Sequence, residues 1–170
     1  MLRAAALLAA LVILGGARES LAEKVTVKGP HICCKQCVRI AEGLLKDIDG
    51  VSEVKADIAS KTVTFEAKDK KAAETAFKAL IDGGFSGTSS TGLKPAAGPA
   101  TGASDVVVVE KVHVCCGQCQ KAIIALFKDA KVSFEGPGPQ RTVRIEGTGL
   151  QHSAVWATLT KAGFSGAIKK

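Results

Sequence analysis

Val25-Thr26-Val27-Lys28-Gly29-Pro30-His31-Ile32-Cys33-Cys34-Lys35-Gln36-Cys37 is answered, 82 positions later, by Val107-Val108-Val109-Glu110-Lys111-Val112-His113-Val114-Cys115-Cys116-Gly117-Gln118-Cys119. Each stretch runs from alternating valines into a His-x-Cys-Cys-x-x-Cys segment. Two further blocks follow in the same order: Lys61–Glu66 matches Arg141–Glu146, and Gly84-Phe85-Ser86-Gly87 matches Gly163-Phe164-Ser165-Gly166. Ordered self-similarity of this kind marks two copies of one structural unit. Between them, residues 88–104 are rich in Gly, Pro, Ser and Thr and hold one apolar side chain larger than Ala, Leu93. That composition predicts a flexible linker, giving domains over 24–87 and 105–168.

Within a copy the hydrophobic period switches repeatedly. Val25 and Val27 alternate as in a strand, and Cys37, Ile40, Ala41, Leu44, Leu45 and Ile48 recur at helical spacing, as do Cys119, Ala122, Ile123, Leu126, Phe127 and Ala130. Val54, Ala56 and Ile58, then Val63, Phe65 and Ala67, predict two strands joined near Ala59-Ser60. Ala72, Ala73, Ala76, Phe77, Leu80 and Ile81 predict a second helix, and a short last strand is expected from about Phe85. The resulting order, βαββαβ, gives an α+β fold class with two tandem ferredoxin-like sandwiches. Trp156 aligns with Phe77 and is expected in the core. His152 has no histidine counterpart and is expected at the surface. Gly136-Pro137-Gly138-Pro139 predicts a distinct hairpin turn in the second copy.

Composition fits this division. The 170 residues contain one Trp, six Phe and no Tyr, too few for one large core but enough for two small ones. Residues 1–22 read as an export signal: Met1-Leu2-Arg3, an apolar run from Ala4 to Gly16, and Ser20-Leu21-Ala22 before a cleavage point at Glu23. The expected location is therefore periplasmic or secreted, with membrane association only through this segment if it stays uncleaved. The formal charge of +7 becomes +6 without Arg3, Arg18 and Glu19. The basic residues are interspersed with acidic ones and no aromatic row is available for base stacking, so no nucleic-acid partner is expected.

Three thiols and an imidazole within seven residues, at a strand-to-helix junction, have the density of a metal-binding loop. A Cys-x-x-Cys pair at a helix N-terminus can direct both sulfurs at one ion, and the helix amides favour the thiolate. Soft thiolates select Cu(I), Zn(II) or Hg(II) over Mg(II) and Ca(II). The primary pairs are Cys34 with Cys37 and Cys116 with Cys119. Cys33 and Cys115 can complete trigonal sites, and His31 and His113 can complete tetrahedral ones. Disulfide staples are the competing use of six cysteines, but three per copy would strand one thiol in each.

At these residues the chain resembles the heavy-metal-associated domain family, which includes copper chaperones, periplasmic mercury-binding proteins and the N-terminal modules of metal-transporting ATPases. The resemblance covers both copies. It implies that the family's two metal thiolates fall on Cys34/Cys37 and Cys116/Cys119, its glycine on His31 and His113, its buried Met on Ile32 and Val114, and its Thr/Asp on Cys33 and Cys115. Gly84-Phe85 and Gly163-Phe164 match a family Gly-Tyr or Gly-Phe that packs near the metal. The expected function is non-enzymatic binding of thiophilic metal ions for sequestration or transfer, with Cu(I) favoured and Zn(II) or Hg(II) as alternatives. A metal transporter or acceptor protein is the expected partner. The competing class is a thiol-disulfide oxidoreductase using the two Cys-x-x-Cys pairs.

Overall fold

The structure is a computed structural model that describes residues 22–99 and 101–169. The expected export signal lies outside the described residues, apart from its last position. Among the described residues no helix is long and apolar enough to cross a membrane.

The first half comprises β1 (Glu23–Lys28), α1 (Lys35–Leu45), β2 (Val51–Asp57), β3 (Thr62–Ala67), α2 (Lys70–Asp82) and β4 (Thr88–Ser89). The second comprises β5 (Ala103–His113), α3 (Gly117–Leu126), β6 (Lys131–Glu135), β7 (Gln140–Gln151), α4 (His152–Lys161) and β8 (Ala167–Ile168). Each half is an α+β layer pair: a four-stranded antiparallel sheet, in order β2-β3-β1-β4 or β6-β7-β5-β8, with two helices packed on it. In the first sheet Val25 pairs with Phe65 and Val27 with Val63, and all four are buried. Against them pack Ala41 and Leu45 of α1 and Ala76, Phe77 and Leu80 of α2. Each large side chain removed from water in this way stabilises the fold by roughly 1.5–3 kcal/mol.

Local signals account for the element ends. The Asp69 carboxylate accepts from Ala72 N at 2.8 Å and caps α2. The same helix stops at Gly83, after which Gly84 takes φ +88. In the second copy Gly136 and Gly138 turn β6 into β7 with positive φ, which accommodates the Gly-Pro-Gly-Pro segment.

Some expectations are corrected. Ile58 falls beyond the end of β2 and is 39% exposed. The alternation through Val54 and Ala56 ends with the strand at Asp57, and Ile58 opens the turn to β3; a bulge between Ser52 and Lys55, where Glu53 adopts φ 49, lies upstream of it. The last strand of the first half does not start at Phe85 but occupies Thr88–Ser89, two residues of the stretch read as linker. Phe85 instead bridges to Phe164 of the other half. Trp156 is only half-buried, whereas its counterpart Phe77 is buried. The indole lies against Gly98, and Pro95, Ala96, Ala97 and Pro99 line the same groove, so part of the inter-copy segment covers it. His152 is also half-buried, its Nε2 3.0 Å from Ser104 Oγ.

Candidate metal centre

The Cys-x-x-Cys loops are positioned by their helices. Cys34 and Cys116 are the N-caps of α1 and α3, both with extended backbone and neither making a side-chain capping bond. Cys37 and Cys119 sit one turn further on, fully buried.

The two loops face each other. Their approach is set by the Gly-Phe-Ser-Gly segments, which run antiparallel across the seam between the halves. Ser86 N donates to Gly163 O at 2.9 Å, Ser165 N to Gly84 O at 2.8 Å, and His31 N to Gly163 O at 3.0 Å. At the edge of the seam Gln140 Nε2 donates to Asp82 O at 2.7 Å. Gly84 and Gly163 permit this closeness. A Cβ at Gly84 would lie 2.3 Å from His113 N, and one at Gly163 would lie 2.3 Å from Gly29 O and 2.4 Å from His31 N. Both glycines also hold positive φ, +88 and +87. The phenylalanines that follow reach across the seam as well. Phe164 stacks on His31 with centroids 4.2 Å apart, and Phe85 stacks on His113 at 4.1 Å.

The sequence reads as two loops, each with its own site; in the fold their six sulfurs form one cluster. Cys33, whose neighbour Cys34 belongs to the first pair, reaches the second pair: its Sγ is 3.9 Å from Cys116 and 3.6 Å from Cys119. Reciprocally, Cys115 Sγ is 3.9 Å from Cys34 and 3.4 Å from Cys37. With Cys34–Cys37 at 3.6 Å and Cys116–Cys119 at 3.9 Å, these contacts make two triangles, each built from one copy's pair and the other copy's extra cysteine. The triangles are joined along Cys33–Cys37 at 3.6 Å, Cys34–Cys116 at 3.9 Å and Cys115–Cys119 at 3.9 Å. All six cysteines are free thiols.

These separations suit metal coordination. Thiolates bound at about 2.3 Å to one ion lie about 3.8 Å apart in a tetrahedron and about 4.0 Å apart in a trigonal plane. Donor atoms of Cys37, His113, Cys115 and Cys119 lie within 4.8 Å of one another, as do those of Cys33, Cys34 and Cys37, of Cys34, Cys115 and Cys116, and of His31, Cys33 and Cys119. The Cys/His cluster can hold a metal ion. All eight residues singled out in the sequence meet here.

The electrostatics favour one thiolate among thiols. Cys37 is held well below the ordinary thiol range, first by a hydrogen bond from Cys119, with further donation from the His113 ring, whose Nε2 is 3.4 Å away. Cys119 is pushed far up as the donor in that pair and by burial. Burial raises Cys115 and pushes Cys33 up to about 12. For Cys116 burial acts upward too, but the amides of Cys119 and Gln118 at the start of α3 outweigh it and bring the thiol to about 7. Burial lowers His31, keeping its ring neutral and able to offer a lone pair. His31 Nε2 and His113 Nδ1 are buried without a hydrogen-bond partner.

Comparison of the chain with protein-family models, with curated proteins and with solved structures finds no match.

Proposed function

We propose that this protein is an exported, non-enzymatic binder of thiophilic metal ions, Cu(I) in preference to Zn(II) or Hg(II), and that its two halves are ferredoxin-like modules of the heavy-metal-associated kind. The observation that carries this reading is the meeting of six free thiols and two imidazoles at one point between the halves. The strand order within each half agrees with the ferredoxin-like reading. Imidazole nitrogens and soft thiolates suit Cu(I) better than any hard cation.

The position of the thiols bears on the role. An incoming ligand must reach a bound ion before the old one leaves, so transfer favours an open loop. Here each loop is covered by the other, and Cys37 and Cys119 are fully buried. That favours sequestration, with release to a transporter or acceptor requiring the halves to part. The closed arrangement weakens the oxidoreductase alternative, because Cys34 and Cys116, the N-terminal cysteines of the pairs and so the nucleophiles such an enzyme would use, are turned toward the opposite loop.

Native mass spectrometry of the reduced protein, titrated with Cu(I), Zn(II) and Hg(II), tests the reading. Cu(I) should be retained against a competing thiol, and Cys34→Ser/Cys116→Ser should bind markedly more weakly. Equal retention by that double variant would refute the assignment of the pairs. Turnover of a disulfide substrate by the metal-free protein, with no metal retained, would favour the oxidoreductase.

A further inference from the structure

The six sulfurs are too many and too evenly spaced for one ion, and from their arrangement we propose that the protein takes up four Cu(I) ions as a single thiolate-bridged cluster shared by both halves. This rests on the reading of the site as a Cu(I) binder and adds its nuclearity.

The argument begins with the triangles. Cys33, Cys116 and Cys119 form one sulfur triangle, and Cys115, Cys34 and Cys37 the other, with edges of 3.4–3.9 Å. The edges joining them, Cys33–Cys37, Cys34–Cys116 and Cys115–Cys119, are of the same length, 3.6–3.9 Å. Cys33/Cys34, Cys115/Cys116 and Cys37/Cys119 close the remaining sides within 4.8 Å. The sulfurs thus stand at the corners of a closed cage with triangular faces. A face of this size fits a trigonal Cu(I), whose three thiolates at about 2.3 Å lie about 4.0 Å apart. With each ion on three sulfurs and each sulfur shared by two ions, six sulfurs accommodate four ions.

Charge points the same way. One Cu(I) among six thiolates would leave five negative charges in a partly buried seam, a heavy desolvation cost. One Cu(I) on two or three thiolates would instead leave half of the cage or more idle. Four Cu(I) ions and six thiolates give a cluster of charge −2, the cysteines still protonated giving up their protons on loading, so every sulfur is used and the residual charge is small. The extra cysteines acquire a role on this account. Cys33 and Cys115 each lie beside the other copy's pair, and without them the two pairs meet only through Cys34–Cys116 and Cys37–Cys119.

The test is Cu(I) loading of the reduced protein, followed by native mass spectrometry and copper X-ray absorption. Uptake should saturate at four Cu per chain, with one- and two-copper species scarce at half loading and a short Cu···Cu vector in the absorption spectrum. Cys33→Ser/Cys115→Ser keeps both Cys-x-x-Cys pairs and should fall from four to two Cu per chain. Gly163→Ala keeps every thiol but obstructs the seam, and should likewise fall to two. Stepwise saturation at one or two Cu in the unaltered protein, or four Cu retained by Gly163→Ala, would overturn the shared cluster while leaving Cu(I) binding intact. Failure to retain any Cu(I) would instead overturn the reading on which the cluster rests.

Discussion

Replacing Gly163 by Ala should open the seam between the halves. The new Cβ would sit 2.3 Å from Gly29 O and 2.4 Å from His31 N, both main-chain atoms that cannot rotate aside. Holding φ +87 with a side chain costs about 1–2 kcal/mol by itself. If the halves part, the main-chain bonds donated by His31, Ser86 and Ser165 are lost, at about 1 kcal/mol each. The two Phe–His stacks contribute about 1 kcal/mol more apiece. Gly163→Ala should therefore cost about 4–5 kcal/mol if most of these contacts go. Gly84→Ala, aimed at His113 N from the other side, should cost a similar amount. The decisive quantity is their coupling. Once either substitution has parted the halves, the second adds only its own backbone strain, so the double variant should cost about 6 kcal/mol rather than the sum of the singles, a coupling near 3 kcal/mol. Urea unfolding of the metal-free, reduced protein, read by the fluorescence of Trp156 and by far-ultraviolet circular dichroism, supplies all three values. Thiol labelling should accelerate in each variant. Additive losses of about 1–2 kcal/mol per site, with unchanged labelling, would mean that the glycines serve only their own turns and that the seam does not hold the halves together.

Other outcomes follow from the same geometry. Phe164→Ala removes a fully buried ring that stacks on His31 and should destabilise the protein by about 3–5 kcal/mol in thermal or urea unfolding. Asp69→Ala deletes the cap of α2 far from the thiols; it should cost about 1 kcal/mol yet leave metal stoichiometry unchanged, as native mass spectrometry can check. The metal-free protein should be most stable near pH 9. Cys37 and Cys116 are lowered from 9.0, so the unfolded chain binds more protons below that value and stability declines as pH falls, through Cys116 to about 7 and through Cys37 well beyond it; Cys33, Cys115 and Cys119 are raised, so stability declines again as pH climbs from 9.0 toward about 12. Thermal melts under reductant should trace this peak, and a profile that kept rising above pH 9 would contradict the buried-thiol assignment. Cu(I) should raise the melting temperature and a competing chelator should reverse the gain, because the unfolded chain lacks the assembled cage.

Much of this was legible in residues. The alternating valines, the helical stripe from Cys37 to Leu45 and the Gly83-Gly84 stop located the elements, since burial on one face imposes those periods. The eight His and Cys positions were legible as well, because ligand chemistry requires those side chains close together. What could not be read was that Cys33, while staying 3.6 Å from Cys37 of its own pair, comes equally close to Cys119 of the other copy's. Nothing in the spacing of one loop encodes the approach of a second loop 82 positions away. The one available signal was the repeated Gly-Phe-Ser-Gly, which puts a glycine at 84 and again at 163, the residue type that permits a close backbone approach. Trp156 shows the opposite error. Alignment with Phe77 placed it inside, but a groove made by Pro95–Pro99 takes it instead.

The seam between the halves is written mainly in main-chain atoms. Amides of His31, Ser86 and Ser165 and carbonyls of Gly84 and Gly163 carry it, and none of these groups depends on which side chains cover the rest of either copy. An apolar interface would oblige both copies to keep matching surfaces. A backbone seam leaves them free to diverge, provided that two glycines and the rings beside them stay. The copies have used that freedom: Glu42 in α1 is replaced by Ile124 in α3, Lys35 by Gly117, and the β2–β3 turn by a Gly-Pro-Gly-Pro hairpin. A duplicated module joined in this way can specialise one copy without dissolving the union of the two.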